Sequence, residues 1–389
     1  MFSRRTPASL APNRLARALE ARRREGAPLL DLSESNPTRV GLRGPADLLP
    51  LLADPSALAY QPAPLGLASA REAVAADYAR RGTRISSEQV LLTASTSEAY
   101  AYLFKLLCQP GDAVLVPRPG YPLFELLAGL ECVEAAPYDL GYDGAWHLPA
   151  SAVESALTPR TRAVVVVSPG NPTGAYLKSG EAEALQALCA REGLALIADE
   201  VFADYAVGPD PTRQPSLAAD GPALAFALGG LSKSCGLPQL KLGWLAVAGP
   251  PGLRDEALAR LELIADTFLS VGTPVQRALP GLLARLGELQ APIAARVAGN
   301  LDRLRRALGT ASQATLLAPE GGWSAVLRVP ANLPEEALAL RLLESRGVLV
   351  HPGYFFDFPD EAFLVLSLLP EPGVFQAGVD AILEAASVL

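Results

Sequence analysis

The sequence predicts an α/β protein built on a mostly parallel sheet, followed by a smaller α+β unit. Three observations predict it. From about residue 65 onward, apolar strand-like runs alternate with longer Ala/Leu-rich stretches of helical character, the rhythm of a parallel sheet with crossover helices. One run, Val164-Val165-Val166-Val167, is apolar at every position, which suits a strand buried on both faces. From about Thr273 the rhythm gives way to a long helical region and then short, separated strands.

Taken in order, the first 26 residues, MFSRRTPASLAPNRLARALEARRREG, hold seven Arg against two Glu. Arg-rich transit peptides have this bias. A short amphipathic helix fits better: Leu15, Leu19 and the alanines between them form an apolar stripe, with arginine on the outer face. Little room is left for a removable leader before the chemistry-bearing segments begin. Pattern alone does not place residues 1–40. Strands are expected over residues 89–93, 113–117, 161–168, 194–199, 223–228 and 242–248. Helices are expected over 67–80, 97–107, 180–192 and 253–269. In the last unit a helical region over 275–308 precedes strands around 322–329, 348–351 and 363–367.

The bulk properties narrow the function. A chain of 389 residues that is 50% hydrophobic is a folded protein of roughly two domains. Its net charge of −8 gives no general attraction to nucleic acid or to anionic membranes. No apolar run approaches the ~18 residues that span a bilayer. Four scattered cysteines, Cys108, Cys132, Cys189 and Cys235, contain no CxxC pair, and there are two histidines in all. No metal site is expected from them, and reduced thiols fit a cytoplasmic protein.

Ligands of an open parallel sheet bind beyond the carboxyl ends of its strands. The segments there are 93–97, 117–122, 168–174, 199–205 and 229–233, and they are the most chemically loaded in the chain. The chain has four lysines among 33 basic residues, and two of them, Lys233 and Lys241, lie in GGLSKSCGLPQLKLGW. A desolvated lysine can lose its proton and attack a carbonyl to form an imine, whereas a guanidinium stays charged. In TASTSEA, Ser95, Thr96 and Ser97 stand where a strand enters a helix, an arrangement that binds an anion or simply caps the helix. In SPGNPTG, Asn171 is held between two turn-forming pairs. In ADEVF, Asp199 ends an apolar strand; buried there, it needs a donor or cationic partner such as a protonated heterocyclic nitrogen, or it serves as an N-cap. In PGYP, Tyr121 could stack on a planar ligand or fill the core.

Together these segments resemble the class I/II aminotransferases, pyridoxal phosphate enzymes of fold type I. SPGNPTG, then ADEVF, then LSK with a basic residue eight positions on and Gly-Trp after it, occur in that order over nearly the whole chain. The resemblance implies a large domain with a seven-stranded, mostly parallel sheet and a small α+β domain built from both termini. The division it implies is an arm over 1–40 that joins the small domain, a cofactor-binding domain over 41–272, and the small domain over 273–389. It also implies a homodimer with shared active sites. Lys233 would form the Schiff base with pyridoxal phosphate and then move the substrate's α-proton. Asp199 would pair with the pyridinium nitrogen, Asn171 would bond the 3′ oxygen, and Tyr121 would stack on the ring. Ser95, Thr96, Ser97, Ser232 and Lys241 would surround the phosphate, with Tyr60 reaching it from the neighbouring subunit.

The departures from the family pattern matter as much. Lys241 stands where the family has Arg, which supplies charge without the bidentate fork. Phe202 replaces a Tyr that donates to the 3′ oxygen; losing that donor raises the pKa of the imine. Gly230 replaces a phosphate-contacting serine. Val365, in FLVLS, occupies the place of the arginine that clamps the substrate's α-carboxylate. Asn36 and Arg39, in SESNPTRVG, and His351 and Tyr354, in VLVHPGYFF, lie on segments that border the substrate pocket in relatives. Arg39 is the candidate replacement for the clamp. Transamination between an amino donor and an oxo-acid acceptor is the function the resemblance implies. The alternatives are lyase, cyclase, decarboxylase or racemase chemistry on the same scaffold, or a substrate without an α-carboxylate. A regulator role is disfavoured by the acidic charge and by the lack of room for an N-terminal DNA-binding domain.

Overall fold

The computed structural model of the chain describes residues 2–7, 9–309 and 312–387. The expected strands assemble into one seven-stranded sheet. It comprises β1 (Val90–Thr93), β2 (Ala113–Arg118), β3 (Glu134–Asp139), β4 (Thr161–Val167), β5 (Ala195–Asp199), β6 (Ala225–Gly230) and β7 (Gly243–Ala248), in the order β1-β7-β6-β5-β4-β2-β3. Every pairing is parallel except those of β7, which runs antiparallel between β1 and β6. The valine run lies in β4, between β5 and β2, with Val164, Val165 and Val166 fully enclosed.

In this sheet β3 is the strand the sequence did not announce. It forms the sheet's edge, pairs on one side only, and leaves much of its surface in water. An edge strand needs no continuous apolar run and tolerates a proline, here Pro137. Helices Ala68–Arg80, Thr96–Leu107, Ser179–Glu192 and Pro251–Phe268 begin and end within two residues of the positions read from the sequence.

The smaller unit carries a four-stranded antiparallel sheet of β8 (Thr315–Leu317), β9 (Ser324–Arg328), β10 (His351–Pro352) and β11 (Phe363–Ser367), in the order β8-β9-β11-β10. The arm that pattern left unplaced packs here. Leu15 of helix Arg14–Arg24 joins Ala339, Leu340 and Leu343. Leu30–Asp31 pairs in parallel with Val348–Leu349, and Leu32 is sealed in the core beside Leu366, Phe375 and Val379.

The single helical region expected over 275–308 is two helices, Thr273–Ala284 and Leu286–Leu308. They break at Arg285, whose guanidinium bonds Asp47 and Glu288. Val275, Ala278, Leu279, Leu282, Leu286 and Leu289 pack on Ala70 and Val74 of the large unit. Ile293, Val297, Leu301 and Leu304 pack in the small one. We therefore propose that the boundary between the units falls inside the second helix, between Leu289 and Ile293, rather than at 272/273. The last two residues of the second unit lie outside the described residues.

Candidate active site

The antiparallel strand explains why the loaded segments meet. Because β7 runs against its neighbours, its first residue, Gly243, lies opposite Thr93 at the end of β1 and Gly230 at the end of β6. The loop before β7 therefore opens at the same sheet edge as the loops that follow β1, β5 and β6. Lys233 and Lys241, eight residues apart in sequence, both reach that edge.

The approach is tight at Gly243. A Cβ on Gly243 would stand 3.1 Å from the backbone carbon of Ser95 and 3.1 Å from the amide nitrogen of Thr96. Both neighbours are backbone atoms, which cannot swing aside. Gly243→Ala is expected to cost about 1–3 kcal/mol of stability, read as a lower denaturant midpoint at unchanged m-value. A midpoint equal to wild type would refute the close approach.

The segments enclose a cavity of about 420 Å³, a size that suits a small-molecule site. At one side helix Thr96–Leu107 begins. Ser95 caps it by accepting a 3.2 Å bond from the Glu98 amide. The amides of Thr96 and Ser97 have no intrahelical acceptor by the geometry of a helix start. With the hydroxyls of Thr96, Ser97 and Ser232 and the amine of Lys241 around the same hollow, this corner is built to hold an anion. Lys241 itself sits in left-handed backbone (φ 53), a conformation a β-carbon makes costly.

Lys233 sits on the one-turn helix Leu231–Ser234. The Ser234 hydroxyl donates to the Gly230 carbonyl at 2.8 Å, and the Tyr205 hydroxyl donates to the Lys233 carbonyl at 2.9 Å. These bonds fix the backbone and leave the side chain free. Its amine faces the rings of Trp323 (5.2 Å) and Phe202 (5.4 Å) and makes no hydrogen bond or ion pair among the described residues. Burial lowers its pKa, and the charge of Asp199 partly opposes that. The result is a lysine that gives up its proton more readily than an exposed one, as a nucleophilic amine must.

Asp199 ends β5. Its carboxylate accepts from the Tyr100 hydroxyl and from the Val201 amide, each at 3.2 Å. Burial pushes its pKa up to about 6, against the pull of those two donors and of Lys233. A carboxylate held this way still lacks a full positive partner. Asn171 faces the cavity from the turn after β4, and Tyr121, on the turn after β2, has a ring that meets Phe124 edge-on. Phe202 and Trp323 pack at 71°.

A heterocyclic aldehyde phosphate fits what these residues offer: an unpaired amine, a carboxylate in want of a cation, and an anion corner on the same wall. Ser95, Thr96, Ser97, Tyr121, Asn171, Asp199, Phe202, Ser232, Lys233 and Lys241 all line the cavity. Four residues singled out in the sequence do not. Tyr60 is 79% exposed and lines a separate groove with Tyr102 and Leu269. Asn36 spends its side-chain oxygen on the Thr38 amide and hydroxyl, capping its own turn. Arg39 turns outward to Glu34 at 3.4 Å and lines an adjoining hollow. Tyr354 is exposed outside the cavity. The cavity also takes residues that sequence reasoning passed over: Ser33, Ser35, Trp323, Ser324 and Ser367, and Tyr100 behind Asp199. Tyr100 was within reach, since it lies one turn after Thr96 and shares its helix face. The serines and Trp323 come from the other unit and carry no local signal.

Residues 26–373 match the family described as aminotransferase class I and II. The chain is 31% identical over 233 residues to nicotianamine aminotransferase 1 of Oryza sativa subsp. japonica, covering 58% of this chain and 46% of that one. It is 29% identical over 360 residues to an alanine aminotransferase of Mycobacterium tuberculosis, covering 89% of this chain and 82% of that one. The chain thus spans about half the length of the rice protein and most of the mycobacterial one. Among solved structures, an alanine aminotransferase from Pyrococcus furiosus superposes over 100% of both chains with a TM-score of 0.88 at 21% identity, a likeness of fold.

Proposed function

This chain belongs to the class I and II aminotransferases, pyridoxal phosphate-dependent transaminases, and from that we propose that it moves an amino group between a neutral amino acid and a 2-oxo acid. The observation that carries this reading is the enclosed, unpaired amine of Lys233 beside the carboxylate of Asp199 at the sheet edge. Bound pyridoxal phosphate supplies an electron-sink ring on which amine and carbonyl exchange. The chain's residues do the rest. Lys233 Nζ holds the cofactor between turnovers, then takes the substrate's α-proton and returns it. The Asp199 carboxylate holds the proton on the ring nitrogen. Asn171 would donate to the ring oxygen, Tyr121 would cover one face of the ring, and Phe202 would offer that oxygen no donor. Ser95, Thr96, Ser97, Ser232 and Lys241 bind the phosphate, and Tyr60 of a second copy completes that contact in a homodimer. Exposed Leu58, Tyr60, Leu263 and Phe268 support such an association. Four unpaired cysteines support a cytoplasmic setting, and among the described residues no helix is long and apolar enough to cross a membrane.

The charge inventory of this chain supports a neutral substrate side chain. Among the described residues, Asp199, Lys233 and Lys241 are the charged residues that line the cavity, and the proposed mechanism gives both lysines to the cofactor. A second substrate carboxylate would be desolvated there without a cation. The test is a panel of L-amino acids with pyruvate as acceptor, and glyoxylate as acceptor for alanine, following oxo-acid release. Neutral amino acids are expected to exceed aspartate and glutamate in kcat/KM by about tenfold or more, the equivalent of 1.4 kcal/mol. A preference for the acidic pair would overturn the neutral-substrate reading, and product without stoichiometric oxo acid would replace transamination with lyase or racemase chemistry.

A further inference from the structure

We infer that the substrate's α-carboxylate is received by the wall formed from β9, β10 and β11, with His351 as the residue that meets it. The inference rests on the aminotransferase reading and deepens it. An amino acid bound in this cavity brings a carboxylate that loses its water and needs donors. The large unit's cations, Lys233 and Lys241, stand at the sheet edge with the cofactor's contacts. Among the described residues no arginine lines the facing wall, and Val365 stands in β11 where the family pattern has one.

The register of the small sheet shows what stands there instead. Ala325, Leu327, Leu364 and Leu366 point into the small unit's core. Of the alternate residues, Ser324, Val365 and Ser367 line the cavity, whereas Val326 packs with Trp146, Leu317 and Phe356. His351 in β10 lies directly opposite Val365 in β11, and Ser324 in β9 lies directly opposite Ser367. Side chains directly opposite in an antiparallel pair share a face with Cβ atoms about 4.5–5.5 Å apart. The imidazole therefore flanks the position Val365 leaves without charge, and two hydroxyls lie one step along the same face.

The imidazole is placed and unspent. It packs on Phe355 and Phe356, with ring centroids at 5.6 and 5.9 Å, and neither nitrogen has a hydrogen-bond partner among the described residues. Its segment is anchored from behind. The buried Glu335 carboxylate accepts from the Tyr354 amide at 2.9 Å and from the Phe363 amide at 2.6 Å, tying the exit of β10 to the entry of β11. The Ser367 hydroxyl accepts from the Leu369 amide at 3.2 Å, which leaves its own proton free to donate. Ser33, also on this wall, gives its proton to Asp31 and is not available.

The charged groups around the imidazole are Asp31, Glu34, Arg23 and Arg39 in the adjoining hollow, and Asp199, Lys233 and Lys241 across the cavity. Burial lowers the imidazole's pKa and Asp31 opposes it. A neutral ring already offers one N–H, and an arriving carboxylate favours the protonated, two-donor form.

The test uses the holoenzyme and two probes without an α-proton, 2-methylalanine and its primary amide, with binding followed by absorption. His351→Phe keeps the aromatic packing and removes the donor; His351→Gln keeps a donor. The phenylalanine variant is expected to weaken the amino acid about 10- to 100-fold and to leave the amide within about threefold, with the cofactor absorption unchanged. The glutamine variant should recover most of the amino-acid affinity. Equal loss for both probes, or wild-type affinity for 2-methylalanine in His351→Phe, overturns the inference: the first makes His351 a packing residue, and the second places the carboxylate on another group. Either result in an enzyme that still makes oxo acid leaves the aminotransferase reading standing. An enzyme that makes oxo acid from no amino acid overturns both.

Discussion

Lys233→Ala is expected to lose transamination by at least about 10⁴-fold, since the proposed mechanism makes one side chain both nucleophile and proton carrier. Lys233→Arg should be nearly as inactive. That second variant separates charge from chemistry: arginine keeps a cation on the one-turn helix but cannot release a proton to become a nucleophile. Both variants should fold, because the lysine amine makes no hydrogen bond or ion pair among the described residues and its backbone is held by Tyr205 and Ser234. The measurement is the intact mass after borohydride reduction of the cofactor-loaded protein, beside the rate of oxo-acid release. Wild type should gain the mass of one reduced cofactor and the variants none. Reduction that still fixes cofactor to the alanine variant would move the covalent role to another amine, for which Lys241 is the neighbouring candidate.

Most of the large unit was legible because its signals are local. A strand buried on both faces must be apolar throughout, so the β4 valines could be read directly, and a helix start with Ser95, Thr96 and Ser97 carries its capping chemistry in sequence. The edge strand β3 was not legible, since a strand paired on one side and wet on the other needs neither apolar continuity nor freedom from proline. The large unit's side of the cavity was readable for a second reason: its residues sit at strand ends, where topology dictates the position of a site. The substrate wall was not. Ser324, Ser367 and Trp323 are ordinary residues until the small sheet is folded against the large one. Arg39 shows the opposite failure. Its charge made it the natural replacement for a missing arginine, but its turn, capped by Asn36, directs it to Glu34 and away from the cavity. Which side chains share a cavity is a property of long-range packing, and no local pattern encodes it.

Cofactor binding should weaken as pH falls below about 6, and Asp199→Asn should remove that dependence. Burial raises the Asp199 carboxyl from 3.8 to about 6. In the empty protein it is therefore protonated at mildly acid pH and ionised at neutrality. For the bare fold the raised value means that stability falls as pH rises from 3.8 toward about 6 and is level above that: in this window the native state holds a proton that the unfolded chain has already lost. For binding the sign is reversed. A cofactor whose ring nitrogen arrives protonated pairs with the carboxylate and not with the acid, so below about 6 one proton must leave on binding, and affinity should drop by roughly tenfold per pH unit. Above about 6 this group should contribute no slope. An asparagine at 199 cannot ionise and offers only a neutral acceptor; loss of the charge-assisted bond should lower affinity at neutrality by about 10- to 100-fold. Dissociation constants for pyridoxal phosphate between pH 5 and pH 8, by fluorescence or equilibrium dialysis, check both parts. An asparagine variant that keeps the wild-type slope would assign the titration to another group. A variant with wild-type affinity at neutrality would mean that the ring nitrogen is not held by this carboxylate, and the buried charge at the end of β5 would then be a feature of the fold alone.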